Sequence, residues 1–389
     1  MSVVIASYAR TPFVKFGGLF AAMPATELGA HAVKAALLRA GVAGGEVDRV
    51  IAGQVIQAGA GQNPARQTAV GAGIPLTVPA ITINAVCLSG LEAIAAGVRL
   101  IESGEADIVV AVGQESMSLA PHATRGARLG TKYGALEFFD TLEVDGLSDA
   151  FEHQSMGAST EAHNGELAIT RGDQDAWAAR SHQTLAAASA FLADEIAPFT
   201  TAGRKLVTVS ADDGLRAETT TESLGQLRPA FGATGTITAG TSSQVTDGAA
   251  AVVLIRETLA TERGITPLAR IIATAFVAGP DVTLHAQPSN AIVAALAKTT
   301  FKTEALAAVE INEAFAAVAV HSVRELGVDP AIVNSNGGAI ALGHPIGASG
   351  ARIVGHLARR LALLPTGTIG AAGICGGGGQ GSAVVLQAV

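Results

Sequence analysis

Four short segments of this 389-residue chain bring together residue types that could do covalent chemistry. The first is INAVCLSGLEA, residues 83–93. Cys87 follows an apolar run and precedes a helical pattern that begins near Ser89-Gly90. A thiol at a helix N-terminus meets free backbone N–H groups and the positive end of the helix dipole, and both favour thiolate. On these grounds Cys87 is expected to have a lowered pKa and to act as a nucleophile; the alternative is a buried structural cysteine. The second segment, NGGAIALGHPIGASGAR (336–352), surrounds His344 with small and turn-forming residues. Gly343 and Pro345 fix the backbone on both sides of an imidazole that could serve as general base near neutrality. In the third, INEAFAA (311–317), Asn312 either caps a helix or offers an amide that orients a water or polarises a carbonyl. In the fourth, GICGGGGQGSA (373–383), Cys375 ends an apolar strand and runs into four glycines. Their N–H groups could curl into an anion-binding nest of the kind an oxyanion hole needs.

Two thiols imply two separate jobs. One thiolate can hold an acyl group as a thioester. The other can deliver or remove a proton at carbon. That pairing suits making or breaking a carbon–carbon bond in an activated acyl compound. It suits hydrolysis poorly, because a hydrolase needs only one cysteine.

The elements that must position these groups alternate between short β-like runs and Ala-rich amphipathic stretches, the pattern of an α/β fold with layered sheets. SVVIASYA, DRVIAGQVI and ADIVVAVGQ read as strands, and ATELGAHAVKAALLRAGV reads as a helix that stops at Gly41. An ungapped offset of 260 lays Ser89-Gly90 on Ser349-Gly350, and IVVAVG, ending at Gly113, on TIGAAG, ending at Gly373. This echo predicts two similar halves, each bringing a loop–helix–strand unit to a shared centre. The segment 118–245 differs: it is irregular at first, then reads as a charged helical hairpin (171–196), then as a Thr/Gly-rich loop (201–244). It is read as an insertion that covers substrate. The domain boundaries expected are 1–117 plus 246–266 for the first half, 118–245 for the inserted loop domain, and 267–389 for the second half.

Composition narrows the class. Apolar residues make up 49% and charged residues only 15%, against about 25% charged in an ordinary soluble domain. So low a surface charge points to surface covered by another subunit. No apolar run reaches the ~18 residues of a membrane-spanning helix, and no secretory leader is evident at MSVVIASYARTP. A cytoplasmic enzyme that does not work on membranes is the expectation. Net charge −8 and a pI near 5.6 argue against nucleic acid as partner. Two cysteines without a CxxC build no disulfide framework. No metal cluster, nicotinamide motif or P-loop is evident, so no bound cofactor or metal is expected.

The four motifs, in this order and spacing, resemble the thiolase family over essentially the full length. ARTPFVKFGG is similar to the family's opening, ESMSLAPH to the start of its loop domain, and LRPAF and TAGTSSQVTDGAAA to its CoA-binding region. The resemblance implies the thiolase fold, two α/β halves in an α-β-α-β-α sandwich plus a loop domain. It implies reversible thiolytic cleavage and Claisen condensation of 3-ketoacyl-CoA, with acetoacetyl-CoA the expected substrate and CoA a substrate rather than a resident cofactor. The alternatives are a longer-chain 3-ketoacyl-CoA thiolase and a non-catalytic acyl-CoA-binding subunit. A decarboxylating synthase would have no reason for Cys375.

By the same resemblance Cys87 carries the acyl group, His344 activates it, and Cys375 is the acid/base at the α-carbon. Asn312 holds a water that forms one oxyanion hole with the His344 ring, and the N–H groups of Cys87 and Gly377 form the other. Ser243 and Arg216 contact CoA, Arg216 towards its phosphate-bearing end, while Met156 and Phe315 line the acyl pocket. RGARLGTKYGALEFFDTL is the candidate loop for a homotetramer. The chain departs from the family pattern at Gln244, where Gly is usual, at LHAQPSNAI around His285, and at His153, one residue too far from Met156.

Overall fold

The computed structural model describes residues 1–201 and 206–389. Its main sheet has ten strands. Nine carry the architecture: β1 (Val3–Arg10), β2 (Arg49–Gly53), β3 (Ala80–Ile83), β4 (Ile108–Glu115), β5 (Thr246–Arg256), β6 (Ala269–Ala278), β7 (Leu306–Ile311), β8 (Ile369–Gly376) and β9 (Gln380–Gln387). They run in the order β7-β8-β9-β6-β1-β5-β4-β2-β3, and a two-residue strand, Val14–Lys15, pairs with the start of β5.

The order hides a repeat. In the first half β1 is antiparallel to β5, β5 antiparallel to β4, and β4 parallel to β2, which is parallel to β3. In the second half β6 is antiparallel to β9, β9 antiparallel to β8, and β8 parallel to β7, with a parallel bridge Val309–Val333 where the edge strand would lie. Both leading strands carry a register shift, between Ile5 and Ser7 and between Ile271 and Ala273. The halves join where β1 pairs with β6, Val3 opposite Ile271.

Helices cover these strands in layers. α1 (Ala25–Ala40) and α2 (Pro64–Gly71) pack on the outer face of the first half. α1 stops, as the sequence predicts, at Gly41, whose left-handed backbone (φ 64°) closes the last turn. α6 (Gln287–Leu296) and α7 (Ala316–Leu326) pack on the outer face of the second half. α3 (Ser89–Glu102) and α8 (Ser349–Leu361) lie between the halves and touch strands of both. One apolar cluster holds Leu91, Ile94 and Val98 of α3 with Ile353, Val354 and Leu357 of α8 and with residues of β1, β4, β5, β8 and β9. Strands covered on both faces read as continuous apolar runs rather than alternating ones, which is why β1 and β4 are buried along their whole length. The five layers and the two equivalent halves match the sequence reading.

The middle segment is less regular. α4 (Met156–Asn164) starts from the Ser155 cap, and α5 (Arg171–Ala187) from a Thr170–Asp173 capping box. The stretch read as a helical hairpin is instead one long helix. It passes through Ala188 (φ −91°, ψ 9°) into a short helix, Ser189–Ala193, because after Gly172 no Gly or Pro is present to reverse the chain. Within the predicted loop 201–244 the described residues include a short helix, Thr221–Gly225; residues 202–205 of that stretch lie outside the described ones.

The segment is tied to the core by buried charges. Arg10, with no exposure, makes a bidentate pair with Asp212 (2.6 and 2.8 Å) and donates to Glu195 (3.2 Å). Glu195 also meets Nδ1 of His356 on α8 at 2.6 Å. His356 and Arg10 hold the Glu195 carboxyl well below its usual range, at about 2, against the opposing effect of burial.

Candidate active site

The loop that carries Cys87 is built from its neighbours' side chains. Asn84 accepts a hydrogen bond from the Val86 amide (3.0 Å) and donates to the Val55 carbonyl (3.2 Å). Ser89, the first residue of α3, accepts from the Ala85 amide (2.9 Å) and donates to the Val86 carbonyl (2.6 Å). Between them Val86 adopts a left-handed backbone (φ 51°), which for a β-branched residue stores on the order of 1–3 kcal/mol of strain. This sharp corner, placed between strand and helix, delivers the half-buried Cys87 side chain into a cavity of about 230 Å³.

The cavity gathers most of the predicted residues. Cys87, His344, Cys375, Gly377, Ser243, Met156 and Phe315 all line it. Met156 opens α4, and Phe315 is the N-cap of α7 and packs edge-to-face on Phe231 (6.1 Å, 88°). The Ser243 amide donates to the Ala314 carbonyl (3.0 Å), which fixes that wall. Apolar side chains not singled out in the sequence complete it: Met117, Leu147, Phe231, Leu284 and Ile346. Their only signal in the sequence is proximity to recognised motifs. Arg216 is not brought to this cavity. It is exposed, and its amide donates to Nδ1 of His182 (3.2 Å).

Asn312 lies behind His344. It is fully buried just after β7, with its amide nitrogen 3.5 Å from both ring nitrogens and its oxygen without a hydrogen-bond partner among the described residues. The capping alternative is overturned, because the α7 N-cap is Phe315, three residues on. The neighbouring Glu313 is a structural hub that the sequence reading left without a role. It accepts from the Trp177 indole (2.9 Å), the Ser181 hydroxyl (2.7 Å), the Asn334 amide (2.9 Å) and the Ile340 backbone (3.1 Å). Four donors lock α5 and the loop before His344 against the end of β7.

His344 is held from both sides. Its amide donates to the Gln244 carbonyl (3.0 Å), and Nδ1 lies 2.6 Å from the Ser349 hydroxyl. Ser349 is the first residue of α8, the counterpart of Ser89 on α3, and donates its own proton to the Pro345 carbonyl (3.0 Å). The hydroxyl is therefore an acceptor towards His344. That assigns the ring proton to Nδ1 and leaves Nε2 with a lone pair. Burial, and secondarily Arg352, push the imidazolium pKa down to about 3, so the ring is neutral at physiological pH.

The Cys87 expectation needs correcting. Its thiol pKa is pushed up to about 12 rather than down. Burial is the largest cause, and the Glu115 carboxylate adds to it; the amides of Cys87 and Gly377, both directed at the sulfur, pull the other way and lose. Cys87 stands two residues before the first residue of α3, and the desolvation penalty outweighs what the helix end supplies. Cys375, 1% exposed, is raised still further by burial and by the neighbouring Cys87. The glycine run is likewise not a curled nest. It is the turn of the β8–β9 hairpin, with left-handed Gly378 (φ 78°) and Gly379 (φ 66°), and it aims a single amide, that of Gly377, at Cys87.

The departures from the family pattern have simple structural outcomes. The Gln244 side chain turns its amide onto the Gly214 (2.9 Å) and Ile340 (3.1 Å) carbonyls. His285 is a core residue, bonded to Asn164 (2.9 Å) and kept neutral by burial with a pKa near 3. His153 is exposed and does not line the cavity.

Two thiols and a neutral imidazole in one apolar cavity, with an amide aimed at one sulfur, define an acyl-transfer site on a duplicated α/β scaffold, and the chain belongs to the thiolase family. The family's N-terminal domain matches residues 3–258, and its C-terminal domain matches residues 265–388. The chain is 52% identical to a probable acetyl-CoA acetyltransferase of Mycolicibacterium smegmatis, covering 99% of this chain and 100% of that one. It is 47% identical to the acetyl-CoA acetyltransferase of Shinella zoogloeoides, covering 100% and 99%. The crystal structure of the Bacillus anthracis acetyl-CoA acetyltransferase superposes with a TM-score of 0.96 at 38% identity, covering 100% of this chain and 99% of that one.

Proposed function

We propose that this protein is an acetyl-CoA acetyltransferase that interconverts acetoacetyl-CoA plus CoA and two molecules of acetyl-CoA through an acetyl-Cys87 intermediate. The observation that carries this reading is the pairing of Cys87 and Cys375 with the unprotonated Nε2 of His344 in one cavity. In thiolysis His344 takes the Cys87 proton, and the thiolate attacks the 3-keto carbon. The alkoxide that forms is met by the Cys87 and Gly377 amides or by a water held between Asn312 and the His344 ring. The C2–C3 bond then breaks, its electron pair leaves as the enolate of acetyl-CoA, and the Cys375 thiol protonates that carbon. The CoA thiol next attacks the acetyl group and regenerates Cys87, with proton transfers back to Cys375 and from CoA completing the cycle. A Cys375 pKa raised well above its ordinary value suits this role, since its protonated form is the one needed.

The modest volume and the bulk of Met156, Phe315, Leu147 and Ile346 favour a short acyl group. CoA enters as substrate along Ser243 and Phe231, and Arg216 remains the candidate contact for its distal phosphates. We read residues 118–245 as an inserted loop domain because β4 ends at Glu115 and β5 begins at Thr246; the halves are then 1–117 plus 246–266 and 267–389. Within it, exposed Leu129, Tyr133 and Phe138 support subunit contacts in a homotetramer. No helix among the described residues is long and apolar enough to cross a membrane, and we place the enzyme in the cytoplasm.

The deciding experiment is intact mass after mixing with acetoacetyl-CoA in the absence of CoA, followed by peptide mapping. An acetyl group on Cys87 is the expected result. No adduct on a folded protein that binds CoA would leave a non-catalytic binding protein, and an adduct on Cys375 would reverse the two roles.

A further inference from the structure

Glu115, the last residue of β4, has no exposure and takes no part in the chemistry above. Its three hydrogen bonds all come from backbone amides: Val55 (3.0 Å) and Gly347 (3.0 Å) to Oε2, and Ile56 (3.2 Å) to Oε1. A buried carboxylate with amide donors and, among the described residues, no ion-pair partner is costly to keep. Three donors and no acceptor suit the ionised form, although burial, with Asp247 adding to it, pushes its pKa up to about 8 against the pull of the same amides.

The donors belong to the two loops that carry the reacting groups. Gly347 lies three residues after His344 and two before Ser349, whose hydroxyl sets the imidazole tautomer. Val55 is bonded through its carbonyl to Asn84, which in turn holds the amide of strained Val86, the residue before Cys87. One carboxylate therefore connects the imidazole loop to the thiol corner. The titratable groups near the thiol corner are Glu115, Cys375 on β8 and His344, while Asp247 on β5 faces Glu115 itself.

We propose that Glu115 is a positioning residue of the acyl-transfer site, clamping the His344 loop to the Cys87 corner. This rests on the roles given to Cys87 and His344 above.

The test compares Glu115→Gln and Glu115→Asp with the parent enzyme. Two readouts are taken: the iodoacetamide alkylation rate of each cysteine between pH 7 and 9, resolved by peptide mapping, and steady-state thiolysis. For Glu115→Gln, whose NH2 group cannot accept an amide proton, kcat for thiolysis should fall at least tenfold with the KM for acetoacetyl-CoA within about threefold of the parent, while Cys375 stays unreactive. Glu115→Asp keeps the charge but shortens the reach. It should likewise lose kcat with the KM within about threefold of the parent. An unchanged kcat in Glu115→Gln overturns the proposal, as does equal acceleration of alkylation at both cysteines, which would mean a loosened core. If only Glu115→Asp folds, unchanged kcat overturns it. The alkylation assay needs no turnover, so failure of the acetylation reading would be seen separately in the parent enzyme's intact mass.

Discussion

Gly350 and Gly90 lie back to back where α8 crosses α3. A methyl group on Gly350 would come within 3.1 Å of the Gly90 carbonyl carbon and overlap the Leu91 amide nitrogen. Both obstacles are helix backbone and neither can rotate away. The contact sits at the first turn of each helix, so it sets how near Cys87 and His344 can come to each other.

Gly350→Ala should therefore destabilise the fold by about 3 kcal/mol or more, at the upper end of what overpacking does. Gly45→Ala, where an added methyl meets nothing within 4 Å, is the matched control. Urea unfolding of the two variants checks this, and equal stability would mean that the two helices can slide.

The two thiols should separate by half-reaction. Cys375→Ser should still take an acetyl group onto Cys87 from acetyl-CoA, because that step moves no proton at carbon. Its condensation and acetoacetyl-CoA thiolysis should fall on the order of 10²–10⁴-fold, the usual worth of a placed acid or base. Cys87→Ser should show no thioester adduct. Mass spectrometry and thiolysis rates read both outcomes.

Acid should weaken the protein through its buried neutral histidines. His344 and His285, with folded pKa values near 3, bind fewer protons than the unfolded chain does below its ordinary histidine value of about 6.5. Stability therefore rises with pH across the window from about 3 to 6.5. Each contributes up to about 1.4 kcal/mol per pH unit there. Glu115, raised to about 8, works the other way. His285→Gln should lower the slope of unfolding free energy between pH 5 and 6 by about 1.4 kcal/mol per unit, measured by denaturation at each pH.

Phe231 packs over Gly157 and edge-on against Phe315 at the cavity wall. Phe231→Ala should raise the KM for acetoacetyl-CoA about tenfold, in line with one lost aromatic pair and its contact area, and change kcat little. A fall in kcat at constant KM would place Phe231 in the chemistry rather than in binding.

How much of this was legible in the chain depended on whether a local pattern decided the outcome. The strands buried on both faces, the stop at Gly41 and the Ser89/Ser349 helix starts are set by nearby residues, and all three are where the sequence puts them. The grouping of Cys87, His344, Cys375 and Gly377 followed from recognisable motifs. What failed were inferences about electrostatics and capping that depend on distant parts of the fold. The pKa of Cys87 is decided by burial and by Glu115, 28 residues away in sequence. Asn312 looked like a cap because the true N-cap, Phe315, has no capping side chain. The union of the halves through β1 and β6 has no local signature at all.

That union has a consequence for how the protein is made. β1 leaves the ribosome long before both of its partners, β5 and β6, which lie between residues 246 and 278. At roughly 5–20 residues per second, translation leaves a largely apolar strand without its neighbours for on the order of tens of seconds. The nascent chain must meanwhile shelter VVIASYA, either in a transient collapse with α1 or in the hands of a chaperone. Slow codons placed before residue 278 should lower the yield of soluble enzyme more than the same codons placed after it.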